Sequence, residues 1–202
     1  MKKYVAFSLI LAFAGFSATV SAAADITAGQ TTAAICAGCH SMDGNSLNPA
    51  WPKIAEQHPA YLVKQLAEFK AGKRTNAIMA PMAMALSEQD MENVSAYFAS
   101  QTKSAGNPDT SGTTIGEKIY LGGNIASGVT ACIACHGPNG SGNPAAGFPA
   151  LAGQHAMYTQ AQLVAFASGE RNNDSAKMMQ MVAAKLTDAE MQAVSAYIEA
   201  LK

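Results

Sequence analysis

Two five-residue patterns constrain this chain more than anything else in it: Cys36-Ala37-Gly38-Cys39-His40 and Cys132-Ile133-Ala134-Cys135-His136. Together they hold all four cysteines of the chain and two of its four histidines. Cys-x-x-Cys-His is the signature of covalent c-type haem attachment. On a helix, residues three and four apart share a face. Cys36 and Cys39 can therefore reach one porphyrin edge and form thioethers, while His40 turns its ring toward the iron. Cys132, Cys135 and His136 repeat that geometry. Attachment uses every thiol, so none is left for a disulfide or for nucleophilic catalysis.

Rival uses of the same residues fit less well. A disulfide oxidoreductase also carries Cys-x-x-Cys, but within a βαβ frame, and no convincing strand pattern is present. Structural zinc pairs its cysteine knuckles over about 12–20 residues, whereas Cys36 and Cys132 stand 96 positions apart.

Residues 1–24 read as a secretory signal peptide. Lys2 and Lys3 form its positive end, an apolar run spans Val5 to Val20, and Val20-Ser21-Ala22 and Ala22-Ala23-Ala24 are both small-residue cleavage sites. A retained membrane anchor is the alternative, since the run is close to the shortest spanning length; the alanine-rich exit favours cleavage. Export suits c-type haem, which is attached outside the cytoplasm. Loss of Lys2 and Lys3 moves the formal charge from −1 to −3. That charge gives no basic footprint for nucleic acid. Charged residues are only 13% of the chain, which suits compact helical domains rather than a disordered tail.

The repeat extends beyond the motifs. Pro52-Lys-Ile-Ala-Glu-Gln-His58-Pro-Ala-Tyr61 returns as Pro149-Ala-Leu-Ala-Gly-Gln-His155-Ala-Met-Tyr158. Phe69, Gly72, Arg74 and Asn76 match Phe166, Gly169, Arg171 and Asn173, and Val94-Ser-Ala-Tyr97 matches Val194-Ser-Ala-Tyr197. The offset grows from 96 to 97 to 100, which places small insertions in loops of the second copy. Each copy reads as three main helices. The first carries the haem motif at its end. The second runs about Pro59–Ala71, with Leu62, Leu66 and Phe69 on one face and Gly72 as its stop. The third opens at Ser87-Glu-Gln-Asp90 or Thr187-Asp-Ala-Glu190, the latter a capping-box signature and the former a looser version. Residues 103–113 have linker composition. The expected organisation is therefore all-α: a signal over 1–24, domains at 25–102 and 114–202, and a linker at 103–113.

An iron with one histidine has a second axial position open. The chain holds 11 methionines, so abundance selects none. At the offset of 100, only Met79/Met179 and Met91/Met191 recur. Met91 and Met191 fall on the apolar face of the third helix and read as core. Met79 and Met179 fall in an irregular segment ahead of that helix, which could fold over the open haem face. Met82, Met84, Met178 and Met181 read as gap-filling core residues. His58 and His155 also recur; each could ligate iron or simply begin the second helix. Arg74 and Arg171 could pair with haem propionates or stand as solvated loop residues. Tyr61 and Tyr158 could reach a propionate or belong to the core.

On these residues the chain resembles the dihaem cytochrome c4 family. The likeness covers nearly the whole mature chain, with the second half especially close at Gly147-Phe148-Pro149, Gly153-Gln154-His155 and Val182-Ala-Ala-Lys185-Leu186. The resemblance implies two class I cytochrome c-like domains, each folded around one covalently bound haem, giving two haem c per chain. It carries the axial ligands onto His40, Met79, His136 and Met179. It places Pro52 and Pro149 where a proline carbonyl accepts the haem histidine's free N–H. It also implies a periplasmic electron carrier, passing electrons from a quinol-oxidising complex (a quinol–cytochrome c reductase) toward terminal oxidases. Peripheral membrane association, known for some members, is left open. A dihaem enzyme such as a peroxidase is the alternative, and needs one opened iron site with acid–base groups around it. No catalytic asymmetry of that kind is visible between the copies. A gas-sensing haem domain ranks last, because no output domain remains in the chain.

Overall fold

A computed structural model of the protein describes residues 23–106 and 113–202. The expected signal peptide lies outside the described residues, apart from Ala23 and Ala24. Among the described residues, ten α-helices fall into two sets of five in the same order. The first set is α1 (Ile26–Ala33), α2 (Ala37–His40), α3 (Pro59–Lys70), α4 (Met79–Met84) and α5 (Glu88–Ala99). The second is α6 (Thr113–Gly122), α7 (Ile133–His136), α8 (Ala156–Ser168), α9 (Met178–Ala183) and α10 (Asp188–Ala200). Among the described residues the only β-pairing is two isolated bridges, Asn124 with Val129 and Asn143 with Phe148. No described helix is long and apolar enough to cross a membrane.

Local chemistry sets most helix ends. Asp25 caps α1 by accepting from the amides of Thr27 and Ala28. Pro59 sits in the first turn of α3, where its missing N–H is not needed. Gly72 follows α3 with φ +70°, and Gly169 ends α8 with φ +76°; both are left-handed positions that glycine adopts without a Cβ penalty. Ser87 with Asp90, and Thr187 with Glu190, form reciprocal capping boxes. The aspartate version closes as fully as the glutamate one.

Several expectations need correction. The haem motif does not end the first long helix but occupies a four-residue helix of its own, α2 or α7. The methionine segment is not irregular: α4 and α9 are short helices. Pro81 obscures the first of these in the sequence, yet as the third residue of α4 it costs no helical hydrogen bond. Met84 and Met181 are not core residues either, being 67% and 57% exposed. Met91 and Met191 are core, at 2% and 3%.

The long helices of each set pack as a unit. Leu62, Val94 and Phe98 centre the first core, and Leu163, Phe166, Met191, Val194 and Ile198 the second. The first and last helices of each set cross at a glycine. A Cβ on Gly29 would lie 2.1 Å from the Asn93 carbonyl oxygen, and one on Gly116 2.1 Å from that of Ala193. Gly29 and Gly116 are 87 positions apart, whereas the motifs are 96 apart. The second copy therefore holds extra residues between α6 and α7, folded into a loop closed by the Asn124–Val129 bridge. Thr113, assigned to the linker from composition, instead opens α6.

Replacing Gly29 by alanine should force α1 and α5 apart and lower stability by about 1–3 kcal/mol, the usual cost of overpacking. Chemical denaturation checks this. Gly38→Ala, where a Cβ meets nothing within 4 Å, should leave the midpoint nearly unchanged.

Candidate haem sites and the interface between them

Each motif closes on itself. The amides of His40 and His136 donate to the carbonyls of Cys36 and Cys132, both at 2.9 Å. The four cysteines are unpaired and half-buried. Cys36 packs against the first core and Cys132 against the second. Burial, with Cys39 adding to it, pushes the Cys36 thiol up to about 11. Burial pushes Cys132 up to about 11 as well. A reactive redox cysteine works as a thiolate with depressed pKa; Cys36 and Cys132 have the opposite character.

The histidines are held in one defined state. His40 and His136 are 7% and 6% exposed. Their Nδ1 atoms lie 2.9 Å from the Pro52 carbonyl oxygen and 3.0 Å from that of Pro149. A carbonyl can only accept, so Nδ1 carries the proton in both rings. Burial lowers both pKa values below the ordinary histidine range, against a smaller opposing effect of the carbonyl. The rings are therefore neutral, with the Nε2 lone pair free. That donor set fits one axial ligand of a haem iron. The loops that follow are pinned by phenols. Tyr97 donates to the Met42 carbonyl at 2.9 Å, and Tyr120 to that of Gly137 at 2.7 Å.

Met179 packs, half-buried, on the same core cluster as Cys132 and Ile133. The equivalent first cluster gathers Cys36, Ile54 and Leu66 but not Met79. Met79 opens α4, with its amide donating to Asn76 Oδ1 at 2.9 Å. His58 and His155 precede α3 and α8 as N-cap residues. His155 Nε2 lies 2.8 Å from the Ser46 carbonyl, and its Nδ1 lies 3.4 Å from Glu199. Both its ring nitrogens are engaged by protein oxygens. His58 Nε2 is buried without a partner among the described residues.

Arg74 and Arg171 are not solvated loop residues. They are 9% and 8% exposed and face each other across the junction of the two copies. Arg74 donates to Gln65 in its own copy, and to Tyr158 and Gln162 in the other. Arg171 donates to Gln162 and Asn173 in its own copy, and to Tyr61 and Gln65 in the other. Each guanidinium also lies over a phenylalanine of its own copy, Phe69 at 4.6 Å and Phe166 at 4.4 Å. Among the described residues neither arginine forms a salt bridge. Their field shows on Tyr61: burial would raise this phenol, yet the charges of Arg171 and Arg74, together with the Arg171 hydrogen bond and Lys64, lower it. Two buried cations sharing neutral acceptors are a fitting place for anionic groups such as propionates.

A second polar seam lies beside the first. Gln154 accepts from the Lys53 amide and donates to the Lys53 carbonyl, both at 2.8 Å. Gln57 does the same to Ala150, both at 2.9 Å. Lys103–Gly106, at the start of the expected linker, is held here too. Lys53 Nζ donates to the carbonyls of Ser104 and Ala105, and the Ser104 amide to Asn45. Sequence reasoning assigned no role to Gln57, Gln65, Gln154 or Gln162. The available signal was that each glutamine recurs at its repeat position, at the offset of 97.

Comparison with known proteins agrees with this geometry. The family model for cytochrome c matches residues 26–102 and 116–202. Cytochrome c4 of Pseudomonas aeruginosa is 46% identical, over 96% of this chain and 96% of that protein. A thiosulfate dehydrogenase electron acceptor of Thiomonas intermedia is 37% identical, over 99% of this chain and 94% of that one. The crystal structure of reduced recombinant cytochrome c4 from Pseudomonas stutzeri superposes with a TM-score of 0.86 at 45% identity, covering 89% of this chain and all of that one.

Gln65 Oε1 accepts from Arg74, Arg171 and Asn173 at 2.8, 3.2 and 3.0 Å. Gln65→Met leaves two buried cations short of an acceptor. It should lower unfolding stability by about 2–3 kcal/mol, the scale of hydrogen bonds to charged groups. A urea titration of the haem-loaded protein checks this.

Proposed function

The chain belongs to the dihaem cytochrome c4 family, and from that membership we propose that it carries electrons through the periplasm from a quinol-oxidising complex to terminal oxidases or other acceptors. It is an electron-transfer cytochrome with two haem c. Each haem supplies one iron that gains or loses a single electron. In this reading Cys36 and Cys39, and Cys132 and Cys135, hold the two groups covalently. Nε2 of His40 and His136 would occupy one axial position, and the thioethers of Met79 and Met179 the other. Histidine–methionine ligation raises the reduction potential and keeps substrates from the metal. Arg74 and Arg171 would meet the propionates. A signal peptide ending near Ala24, cleaved on export, belongs to the same reading.

The observation that carries the proposal is the pair of neutral imidazoles, each with Nδ1 bonded to a proline carbonyl and Nε2 free. Such rings are built to ligate rather than to shuttle protons. The binding of both His155 nitrogens weighs against a peroxidase reading, because it removes one recurring imidazole from acid–base work. The relative named as an electron acceptor supports a carrier role. Docking would then use small, weak interfaces, as redox encounters do.

Met79→Ala tests the ligand assignment. It should abolish the methionine–iron charge-transfer band of one haem and leave that of the other, and only the altered haem should bind cyanide readily. Survival of both bands would assign the axial position to another residue.

A further inference from the structure

The geometry points to a crossed hydrogen-bond relay in which a glutamine of each repeat tunes the axial histidine of the other. It rests on the reading of His40 and His136 as iron ligands.

One peptide group carries the argument in each direction. The carbonyl of Pro52 and the N–H of Lys53 belong to the same planar amide. Its oxygen accepts from His40 Nδ1 at 2.9 Å, and its N–H donates to Gln154 Oε1 at 2.8 Å. The amide of Pro149 and Ala150 mirrors it. Its oxygen accepts from His136 Nδ1 at 3.0 Å, and its N–H donates to Gln57 Oε1 at 2.9 Å. Each glutamine also returns a bond through Nε2, to the carbonyl of Lys53 or Ala150. The whole seam is shielded from bulk solvent: Lys53, Gln57, Ala150 and Gln154 are all buried, none more than 8% exposed.

Hydrogen bonds in series polarise one another, and the effect is larger where water is excluded. An amide whose N–H is engaged offers a stronger carbonyl acceptor. That acceptor draws on the Nδ1 proton, puts electron density into the imidazole and strengthens Nε2 as a donor. A stronger donor favours the ferric state. The ligand strength of His40 is thus set in part by Gln154, and that of His136 by Gln57. These glutamines are positioning residues; neither sits on the iron. Each also accepts from the amide of the histidine that follows it, His58 or His155, so a purely structural role must be separated from the relay.

The test uses the haem-loaded protein, with potentials measured for each haem and the ring Nδ1 protons followed by NMR. Gln154→Leu should raise the potential of the haem on His40 and shift the His40 Nδ1 proton upfield, leaving the His136 haem in place. Gln57→Leu should do the converse. Gln154→Glu keeps the Oε1 acceptor and should restore the His40 signal. Gln65→Met loosens the junction elsewhere and should not reproduce the crossed pattern. In the unmodified protein, the amides of Lys53 and Ala150 should exchange with solvent as slowly as those of the core helices, a readout that needs no variant. Unchanged potentials would overturn the relay. So would equal shifts at both haems, a shift confined to the glutamine's own repeat, a Gln154→Glu protein that behaves as Gln154→Leu, or free exchange at Lys53 and Ala150. Absence of hyperfine-shifted His40 ring signals from the unmodified protein would instead overturn the ligand assignment beneath it.

Discussion

Two buried guanidinium groups that share acceptors and, among the described residues, form no salt bridge set the terms on which the two halves of this molecule pack. Arg74 and Arg171 share Gln65 and Gln162 as acceptors, so neither half can satisfy its own arginine alone. Neutral acceptors spread the positive charge without cancelling it. The junction therefore keeps two buried positive charges side by side, the feature on which the proposed propionate contact rests. Around it the sharing is reciprocal: each tyrosine bonds the other copy's arginine, and each glutamine clasps the other copy's backbone. Duplication explains the reciprocity, since one surface has become complementary to its own copy.

The same duplication shows what is fixed and what is free to vary. Gly29 and Gly116 keep the first and last helices in close contact, and both capping boxes keep the last helix in register. The loop between α6 and α7 has no such duty. It has grown, leaving Ile125 97% exposed near its tip. The histidines show a milder divergence: His155 is tied to Ser46 of the other copy, while His58 Nε2 has no partner among the described residues. The two copies are thus alike at the histidine–proline contacts and unlike around the second histidine of each repeat.

How much of this could be read in the sequence follows from the range of each interaction. The motifs, the long helices and the caps depend on residues three or four apart, and were legible. Proline as hydrogen-bond acceptor was legible only through the family resemblance, and the structure shows the contact at both sites. The short helices around Met79 and Met179 were not legible, because Pro81 breaks the pattern in one copy and the backbone turns left-handed at Ala176 and Lys177 before the other. The extra loop was missed because the repeats were aligned from the motifs onward. The junction was missed for a deeper reason: Gln57, Gln154, Arg74 and Arg171 find partners about a hundred positions away, and no local pattern records such pairings.

In the proposed carrier reading, the two haems exchange electrons with each other across the shared polar junction. Rapid, substoichiometric reduction of the oxidised protein measures this directly, with both haems followed by their spectra over a range of protein concentrations. The account predicts a fast bimolecular reduction of one haem, then redistribution to the other at a rate independent of protein concentration. Redistribution whose rate rises in proportion to protein concentration, as encounters between separate molecules require, would contradict it.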